Sequence, residues 1–315
     1  MAHQVRIEQF GRSISVAADQ TILECALFEG IDYPFACQQG QCGSCKSLLV
    51  AGEVELGDRY NPLALSTDER ARGLILACQA RPRSDCVVSV VEIGGAIVHA
   101  ERELECTVVD TLSAGPTRTI VALSIDRGGP FNFVAGQFAV VDFTGGAAAR
   151  LAMANAPEAK LLEFHLLHAA GTPPAAAPGT RAKVRGPYGQ AYLHDEHLGP
   201  ILAACDAFGL APMLAIVRSA IALGMPQRIY LHVDGDDDLA HRLAADPTLA
   251  PGRGRLHILP AANTDALIAR IAADCADARA YRAYAGGRGS FLESLRALLI
   301  SHSLDPANFS AEEYP

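Results

Sequence analysis

The chain has 315 residues, half of them apolar, which is enough for two or three domains with buried cores. Its formal net charge is −9 at pH 7 and it contains no basic block, which argues against nucleic acid as a partner. No apolar run reaches the length of a membrane span, and the first residues lack the features of a secretory signal, so no membrane partner is expected.

Residues 1–95 have the pattern of a small β-rich domain. Apolar and polar residues alternate on both sides of Gly11, which predicts a hairpin. From Thr21 to Glu29, residues three or four positions apart have the spacing of a helix face, which predicts a helix. A second, short helix is predicted after Ser66, because Ser66 and Glu69 have the spacing of a capping box.

Four cysteines of this domain have a spacing that indicates a [2Fe-2S] cluster. Three follow the pattern C-x4-C-x2-C and the fourth lies in a distant segment, which is the plant-type spacing. Gly40 and Gly43 lie inside this loop, where the backbone must curl and approach the sulfides closely. The segment from Gln38 to Gly43 is expected to cover the cluster and to contact a redox protein partner. The predicted ligands are Cys37, Cys42, Cys45 and Cys78.

A zinc site and a set of buried free thiols are the alternatives for these cysteines. Zinc sites usually combine two C-x2-C-like pairs, and only one half of this pattern has that spacing. The remaining five cysteines are scattered and predict ordinary buried thiols. Nine cysteines without a signal peptide indicate a reducing, cytoplasmic setting rather than disulfides. The scattered cysteines are Cys25, Cys86, Cys106, Cys205 and Cys275.

Two further domains are expected after a linker at Gly94-Gly95 and the polar stretch from Glu101 to Glu105. Alternating residues from Cys106 to Phe143, interrupted by glycine and proline turns, predict an antiparallel β-barrel. From Ile201 onward, short apolar strands alternate with helical patterns, which predicts a parallel, doubly wound α/β sheet.

Several segments resemble the motifs of one family in the same order along the chain. The cysteine segments resemble those of the β-grasp [2Fe-2S] ferredoxins, and the later segments resemble a ferredoxin-NADP reductase module. Together they resemble the reductase components of bacterial multicomponent oxygenases over the full length. The later segments are Gly136-Gln137-Phe138, Ala152-Met153-Ala154-Asn155-Ala156-Pro157, Leu162-Glu163-Phe164-His165, Val184-Arg185-Gly186-Pro187-Tyr188-Gly189 and Gly209-Leu210-Ala211-Pro212.

The resemblance implies a multi-domain fold. Its parts are a β-grasp ferredoxin domain (α+β) at 1–95, an antiparallel flavin-binding β-barrel at 104–197 and a nicotinamide-binding, doubly wound α/β domain at 198–315. It also implies a route for electrons from NADH through FAD to the cluster and then to an oxygenase. A flavin is implied because hydride carries two electrons and a [2Fe-2S] cluster accepts one.

The resemblance further implies two sets of cofactor contacts. Flavin contacts are implied at Arg150, Leu151, Ala152, Met153, His165 and Gly171. Nicotinamide contacts are implied at Gly209, Leu210, Ala211, Pro212 and Gly286.

The flavin motifs depart from the pattern of the family. Where the family has R-x-Y-S, this chain has Ala149-Arg150-Leu151-Ala152, which turns the arginine to the opposite face of a strand. The pyrophosphate loop contains Pro173 and Pro174, which have no N–H to donate, so the anion-binding helix is expected to be truncated. Arg150 is therefore either a phosphate ligand or a surface arginine, and His165 is either a flavin neighbour or a core residue.

The nicotinamide motifs also depart. Asp206 lies in the segment where the family has G-G-S/T-G, and its carboxylate is expected to repel a phosphate there. The run from Asp234 to Asp238 is expected to form an exposed loop whose carboxylates reject NADPH. Ala285 replaces the cysteine near the nicotinamide ring.

These departures leave more than one function open. The first is an NADH-dependent reductase component that passes electrons to an oxygenase. The second is a ferredoxin-bearing subunit whose flavin-free reductase domains are catalytically silent and which relays electrons beside a companion reductase or an oxygenase. A flavin-free nucleotide sensor is a third hypothesis, and Asp206 argues against it.

Overall fold

The computed structural model describes residues 2–31, 33–35, 37–57, 59–93, 96–97, 99, 101–129, 131–144, 147–172, 174 and 176–314. The chain divides into two compact units, 1–101 and 102–315. The Gly94-Gly95 part of the expected linker and Pro173 lie outside the described residues. Among the helices of the described ranges, none combines the length and the apolar character needed to cross a bilayer.

The first unit is built on a mixed five-stranded sheet of order β2-β1-β7-β3-β5, in which β1 and β7 are parallel. A smaller pair, β4 and β6, accompanies it. Its elements are β1 (Ala2–Ile7), β2 (Arg12–Ala17), α1 (Ile22–Phe28), β3 (Lys46–Ala51), β4 (Val54–Leu56), α2 (Thr67–Ala71), β5 (Leu74–Leu76), β6 (Ala80–Pro82), β7 (Cys86–Val90), β8 (Glu92–Ile93) and β9 (Ala96–Ile97).

Both helices of this unit begin with a capping box. The Ser66 hydroxyl accepts from the Glu69 amide and the Glu69 carboxylate accepts from the Ser66 amide, as predicted. Thr21 caps α1 in the same way with Glu24. In the first turn of α1, the Leu23 amide donates to the Ala77 carbonyl at 3.1 Å. The start of α1 is therefore tied to the segment that carries Cys78.

The first sheet of the second unit is an antiparallel barrel, as predicted, with strand order β13-β12-β15-β10-β11-β14. A bridge between Met153 and Phe164 links the end of β13 to β14 and nearly closes the sheet. Its strands are β10 (Arg102–Ser113), β11 (Arg118–Arg127), β12 (Phe138–Phe143), β13 (Ala149–Ala152), β14 (Leu162–Leu167) and β15 (Arg181–Tyr188).

The predicted linker from Glu101 to Glu105 is wrong from Arg102 onward, because β10 begins there and pairs with β15. Leu104 and Cys106 are buried, because every second side chain of a strand points to the same face. This alternation is sufficient to form a strand although most residues of the stretch are polar.

The second sheet of this unit is parallel and doubly wound, with order β18-β17-β16-β19-β20. The chain starts in the centre at β16, moves outward to β18, and returns to β19 on the other side of β16. The crevice at the carboxyl ends of β16 and β19 is therefore a topological switch point, where such sheets bind ligands. The elements are β16 (Ile201–Cys205), α3 (Leu210–Ala222), β17 (Ile229–Asp234), α4 (Asp237–Ala245), β18 (Leu256–Ala261), α5 (Thr264–Asp274), β19 (Arg282–Gly287), α6 (Gly289–Ser301) and β20 (Phe309–Glu313).

These sheets confirm the predicted fold class, with one local correction. The aspartate run was expected to be a loop, but Asp236 caps α4 by accepting from the Leu239 amide at 2.9 Å. Asp237 and Asp238 form the first turn, where carboxylates interact favourably with the helix dipole. The boundaries at 104–197 and 198–315 stay predictions, because both sheets lie in one compact unit.

Candidate cluster and nucleotide sites

The cysteine loop of the first unit is shaped by glycines with positive φ. Gly40 has φ 77° and Gly43 has φ 80°. A Cβ at Gly40 would lie 2.7 Å from Tyr60 Cβ, so the close approach to the neighbouring loop excludes a side chain there. The Asn61 amide donates to the Gly40 carbonyl at 2.9 Å and holds the two loops together.

Backbone amides of this loop point at cysteine sulfurs. The Gln39 and Gln41 amides lie 3.4 Å and 3.2 Å from Cys37 Sγ. The Cys37 amide lies 3.5 Å from Cys42 Sγ. Donors in these positions stabilise thiolates, the form in which cysteine binds metal.

The four thiols are arranged as two pairs. Cys37 lies beside Cys42 near the surface, and Cys45 lies beside Cys78 in the interior. No three His, Cys, Asp or Glu side chains in the described ranges surround a point as the ligands of a single metal ion do. A zinc site would need all four thiols around one ion, whereas a two-iron cluster with four cysteines takes two at each iron. The donor set therefore fits a [2Fe-2S] cluster better than zinc.

The electrostatics of the thiols agree with this interpretation. Burial raises the pKa of Cys42, but hydrogen bonds from Ser44 and from the Cys37 amide outweigh it and lower the pKa to about 6. The Cys45 thiol donates to Cys78, which raises the pKa of Cys45 and lowers that of Cys78 to about 7. One thiol of each pair is thus readily ionised.

In the second unit, the end of β13 lies in an aromatic cluster. Ala152 is buried and packs with Phe138 and Tyr314, with Tyr188 and Phe208 at the edge. The Tyr314 hydroxyl is buried and has no hydrogen-bond partner among the described residues. A polar edge of a flavin ring would satisfy this unpaired hydroxyl beside Phe138 and Ala152.

Arg150 is engaged within the protein. Its guanidinium lies 4.1 Å from the centre of the Phe138 ring and 2.6 Å from Glu312 Oε1. Burial raises the pKa of Glu312 and the charge of Arg150 opposes this. Leu151 faces away from Ala152 and packs on the barrel core, as does the buried Met153. The structure therefore brings Arg150 and Ala152 together but not Leu151 and Met153 with them.

The described residues of the loop after β14, 168–172, 174 and 176–180, differ from the usual cradle for a flavin pyrophosphate. No helix lies within its described residues, and nothing lies within 4 Å of a Cβ built at Gly171. The Thr172, Gly179 and Thr180 amides donate to carbonyls of the chain. Within these residues, no helix N-terminus offers its amides to the phosphates of a flavin.

His165 belongs to a buried ionic network that joins the two sheets of this unit. Its Nδ1 lies 3.3 Å from Arg118 Nη1 and its Nε2 lies 3.4 Å from Glu163 Oε1. Arg218 of α3 pairs with both Glu163 and Asp246 at 2.7 Å. Burial lowers the pKa of His165, so the imidazole stays neutral at pH 7. These contacts place His165 among charged groups of the core, and its contact with a flavin stays a prediction.

The candidate nicotinamide residues meet at the switch point. Gly209 caps α3, and Leu210, Ala211 and Pro212 form its buried first turn. A Cβ at Gly209 would lie 2.0 Å from the carbonyl carbon of Gly286, so the two backbones touch.

Comparison with known proteins agrees with this architecture. Residues 5–83 match the family model described as 2Fe-2S iron-sulfur cluster binding domain. The "Alkene monooxygenase system, ferredoxin--NAD(+) reductase component" of Xanthobacter autotrophicus is 38% identical over 245 residues, covering 73% of this chain and 72% of that protein. The chain belongs to the family of ferredoxin–NAD(P)+ reductase components of oxygenase systems.

A second relative and a solved structure are also similar to this chain. The "Naphthalene 1,2-dioxygenase system ferredoxin--NAD(P)(+), reductase component" of Pseudomonas putida is 32% identical over 256 residues, covering 77% of this chain and 76% of that protein. The crystal structure of the Amycolatopsis cytochrome P450 reductase GcoB has a TM-score of 0.59 at 29% identity, covering 99% of this chain and 98% of that one.

Sequence reasoning missed several contacts in the second unit. Glu312 and Tyr314 reach the Ala152 region because β20 lies at the edge of the parallel sheet beside β19. Arg288 reaches Asp206 because β16 and β19 are neighbours. Arg288 ends the segment Ala285-Gly286-Gly287-Arg288, which corresponds to C-G-P-P in the family, but nothing in the sequence linked it to Asp206. No local pattern indicated the contacts of Glu312 or Tyr314.

Proposed function

We propose that this chain is an NADH-dependent oxidoreductase that delivers electrons through a [2Fe-2S] cluster to an oxygenase. One observation carries the proposal. The same chain contains four cysteines arranged as two pairs and a second unit with the barrel and the doubly wound sheet of a reductase. The relatives named as ferredoxin–NAD(+) or ferredoxin–NAD(P)+ reductase components support it.

The proposed cluster ligands are the pairs Cys37 with Cys42 and Cys45 with Cys78. When bound, FAD would supply the conversion of a two-electron hydride donor into single electrons. Phe138, Ala152 and Tyr314 would hold its ring, and the Tyr314 hydroxyl would gain a hydrogen-bond partner.

The proposed donor is NADH rather than NADPH. Asp234 ends β17, next to the central strand β16, and accepts from the Thr264 hydroxyl at 3.1 Å. An acidic residue near the dinucleotide ribose binds hydroxyls and repels a 2′-phosphate. The proposed partner is an oxygenase or a companion redox subunit, and the proposed location is the cytoplasm, in keeping with nine unpaired cysteines.

A second candidate function is an electron-relay subunit whose reductase unit is a silent scaffold. Two observations favour it: Arg150 is already paired with Glu312, and the described part of the 168–180 loop has no helix. This protein would keep the cluster but would not oxidise NADH.

The two functions are separated by an absorption spectrum of the purified chain with flavin extraction, before and after NADH is added without air. Flavin at about one per chain and bleaching by NADH are expected for the reductase. A cluster spectrum without flavin and without a response to NADH would contradict the proposal and favour the relay. Dithionite serves as the control, because it should reduce the cluster in both cases.

A further inference from the structure

The switch-point crevice contains a buried carboxylate whose two oxygens both accept hydrogen bonds. The side chain of Asp206, directly after β16, is 0% exposed. Its Oδ1 accepts from the Phe208 amide at 2.9 Å, and its Oδ2 accepts from the Arg288 amide at 3.0 Å and from Arg288 Nε at 3.1 Å. The charge expected to repel a phosphate is therefore paired with a guanidinium inside the protein.

Gly287 makes this arrangement possible. It has φ 149°, and a Cβ built there would lie 2.5 Å from Asp206 Oδ1. The carboxylate thus occupies the space that the missing side chain leaves. Because Gly287 ends β19, the bonds from Arg288 to Asp206 join the ends of the two central strands.

Arg288 itself points partly to solvent. Its side chain is 55% exposed, although the Asp206 side chain that holds it is completely buried. Asp206 binds the Nε group, and the guanidinium carbon lies 5.5 Å from the centre of the Phe208 ring. The two Nη groups donate no hydrogen bond to any described residue. The Arg288 guanidinium is therefore oriented through its Nε group, while its two Nη groups can donate to a ligand.

Charged side chains of both signs lie near the Arg288 guanidinium. Arg118 adds a second guanidinium nearby, because its Nη2 donates to the Ala207 carbonyl at 2.6 Å. The Glu313 carboxylate lies at the start of α6, 2.8 Å from a Cβ built at Gly289. The two guanidinium groups attract an anion at the Arg288 side chain, whereas the paired Asp206 offsets part of this attraction and Glu313 opposes it.

We propose that Arg288, positioned by Asp206, binds a phosphate of the dinucleotide in place of the glycine-rich loop that this chain lacks. The ligand class is a pyrophosphate-linked nucleotide such as NADH, and the inference rests on the function proposed above. A guanidinium fork binds phosphate through two parallel, charge-assisted hydrogen bonds, which an ammonium group cannot reproduce. Asp206 acts as a positioning residue, because it reaches the ligand only through Arg288.

The experiment measures the binding of ADP-ribose to the full chain by calorimetry at fixed ionic strength. Arg288→Gln is expected to weaken binding about tenfold to a hundredfold, as for the loss of hydrogen bonds to a charged group. Arg288→Lys should recover only part of the affinity, because the fork is lost. Glu313→Gln should strengthen binding. Arg296→Gln is the matched control, an exposed arginine farther along α6, and should bind like the wild type.

Asp206→Asn tests the positioning role. With ferricyanide as acceptor, it should raise the KM for NADH while kcat stays unchanged, and the thermal melt and cluster spectrum should show that the variant is folded. Equal ADP-ribose affinity in the wild type and Arg288→Gln would overturn this inference alone. A wild-type chain that binds neither ADP-ribose nor NADH would overturn the inference together with the proposed function.

Discussion

The two units of this protein form their sites in different ways. In the first unit, three of the four proposed ligands lie within nine consecutive residues, Cys37 to Cys45, and local glycines bend the chain around them. In the second unit, the groups that meet are far apart in sequence: Arg150 and Glu312 are separated by 162 positions, and Asp206 and Arg288 by 82. A site made by one loop can be recognised from spacing, whereas a site made where strands end depends on the topology.

Because the contacts in the second unit are made over long sequence distances, the loss of a flavin or nicotinamide motif does not by itself show that the site is lost. The flavin and nicotinamide motifs have lost the residues that the family pattern leads one to expect. In the structure, Arg288 directly follows β19 and pairs with Asp206, and Glu312 of β20 pairs with Arg150. The predictions below probe first the loop site and then the long-range contacts.

Replacing a proposed ligand should have the largest effect. Cys42→Ser is expected to abolish the visible absorption of the cluster or to shift it severely, because a serine oxygen is a poor substitute for a thiolate at iron. Absorption and iron content are the measurements. Cys86→Ser is the control, since Cys86 is buried in the same unit but bonds only to the Glu53 and Ser84 carbonyls among the described residues. A wild-type spectrum in Cys42→Ser would contradict the ligand assignment.

The ionic network between the two sheets of the second unit should contribute strongly to its stability. Arg218→Met leaves the half-buried carboxylates of Glu163 and Asp246 without their cation, so the unfolding free energy should fall by about 2–3 kcal/mol, less than for a fully buried pair. Denaturant unfolding measures this change. Arg279→Gln, which breaks an exposed ion pair with Asp277, should leave the midpoint unchanged. Equal midpoints for both variants would show that the network does not hold the sheets together.

The same network should make stability depend on pH. Burial raises the pKa of Glu163, but the neighbouring His165 imidazole and the charge of Arg218 outweigh it and lower the pKa to about 2. A depressed pKa stabilises the fold above the unfolded value of about 4.3. This stabilisation should be lost as the pH falls from there through about 2.

Glu163→Gln should therefore flatten the dependence of the unfolding free energy on pH in this acid range, measured by urea titrations at several pH values. Glu293→Gln on the exposed face of α6 provides the control. The account is wrong about this carboxylate if the slopes of wild type and Glu163→Gln coincide.

The smallest effect is expected at Tyr314. Its buried hydroxyl has no partner among the described residues, so Tyr314→Phe should stabilise the flavin-free chain by about 1 kcal/mol. In the presence of flavin, the same change should lower flavin occupancy, because the hydroxyl would then be paired. A thermal melt with and without added FAD measures both effects. Destabilisation of the flavin-free chain would mean that the hydroxyl already has a partner.

Much of the fold was accessible from the sequence because its signals are local. The capping box at Ser66 and the alternation of apolar residues in the barrel correctly predicted a helix and strands. The aspartate run was misjudged, because carboxylates suit both an exposed loop and the first turn of α4. The contact of Arg288 with Asp206 could not be predicted, since it requires knowing that β16 and β19 are neighbours.

The central claim is that NADH reduces the cluster within this single chain. The most direct test is to mix the purified chain with limiting NADH without air and to record the electron paramagnetic resonance of the cluster. The account predicts the signal of a reduced [2Fe-2S] cluster, increasing with added NADH and absent in Cys42→Ser. A cluster that dithionite reduces but NADH leaves oxidised, even with added FAD, would contradict it.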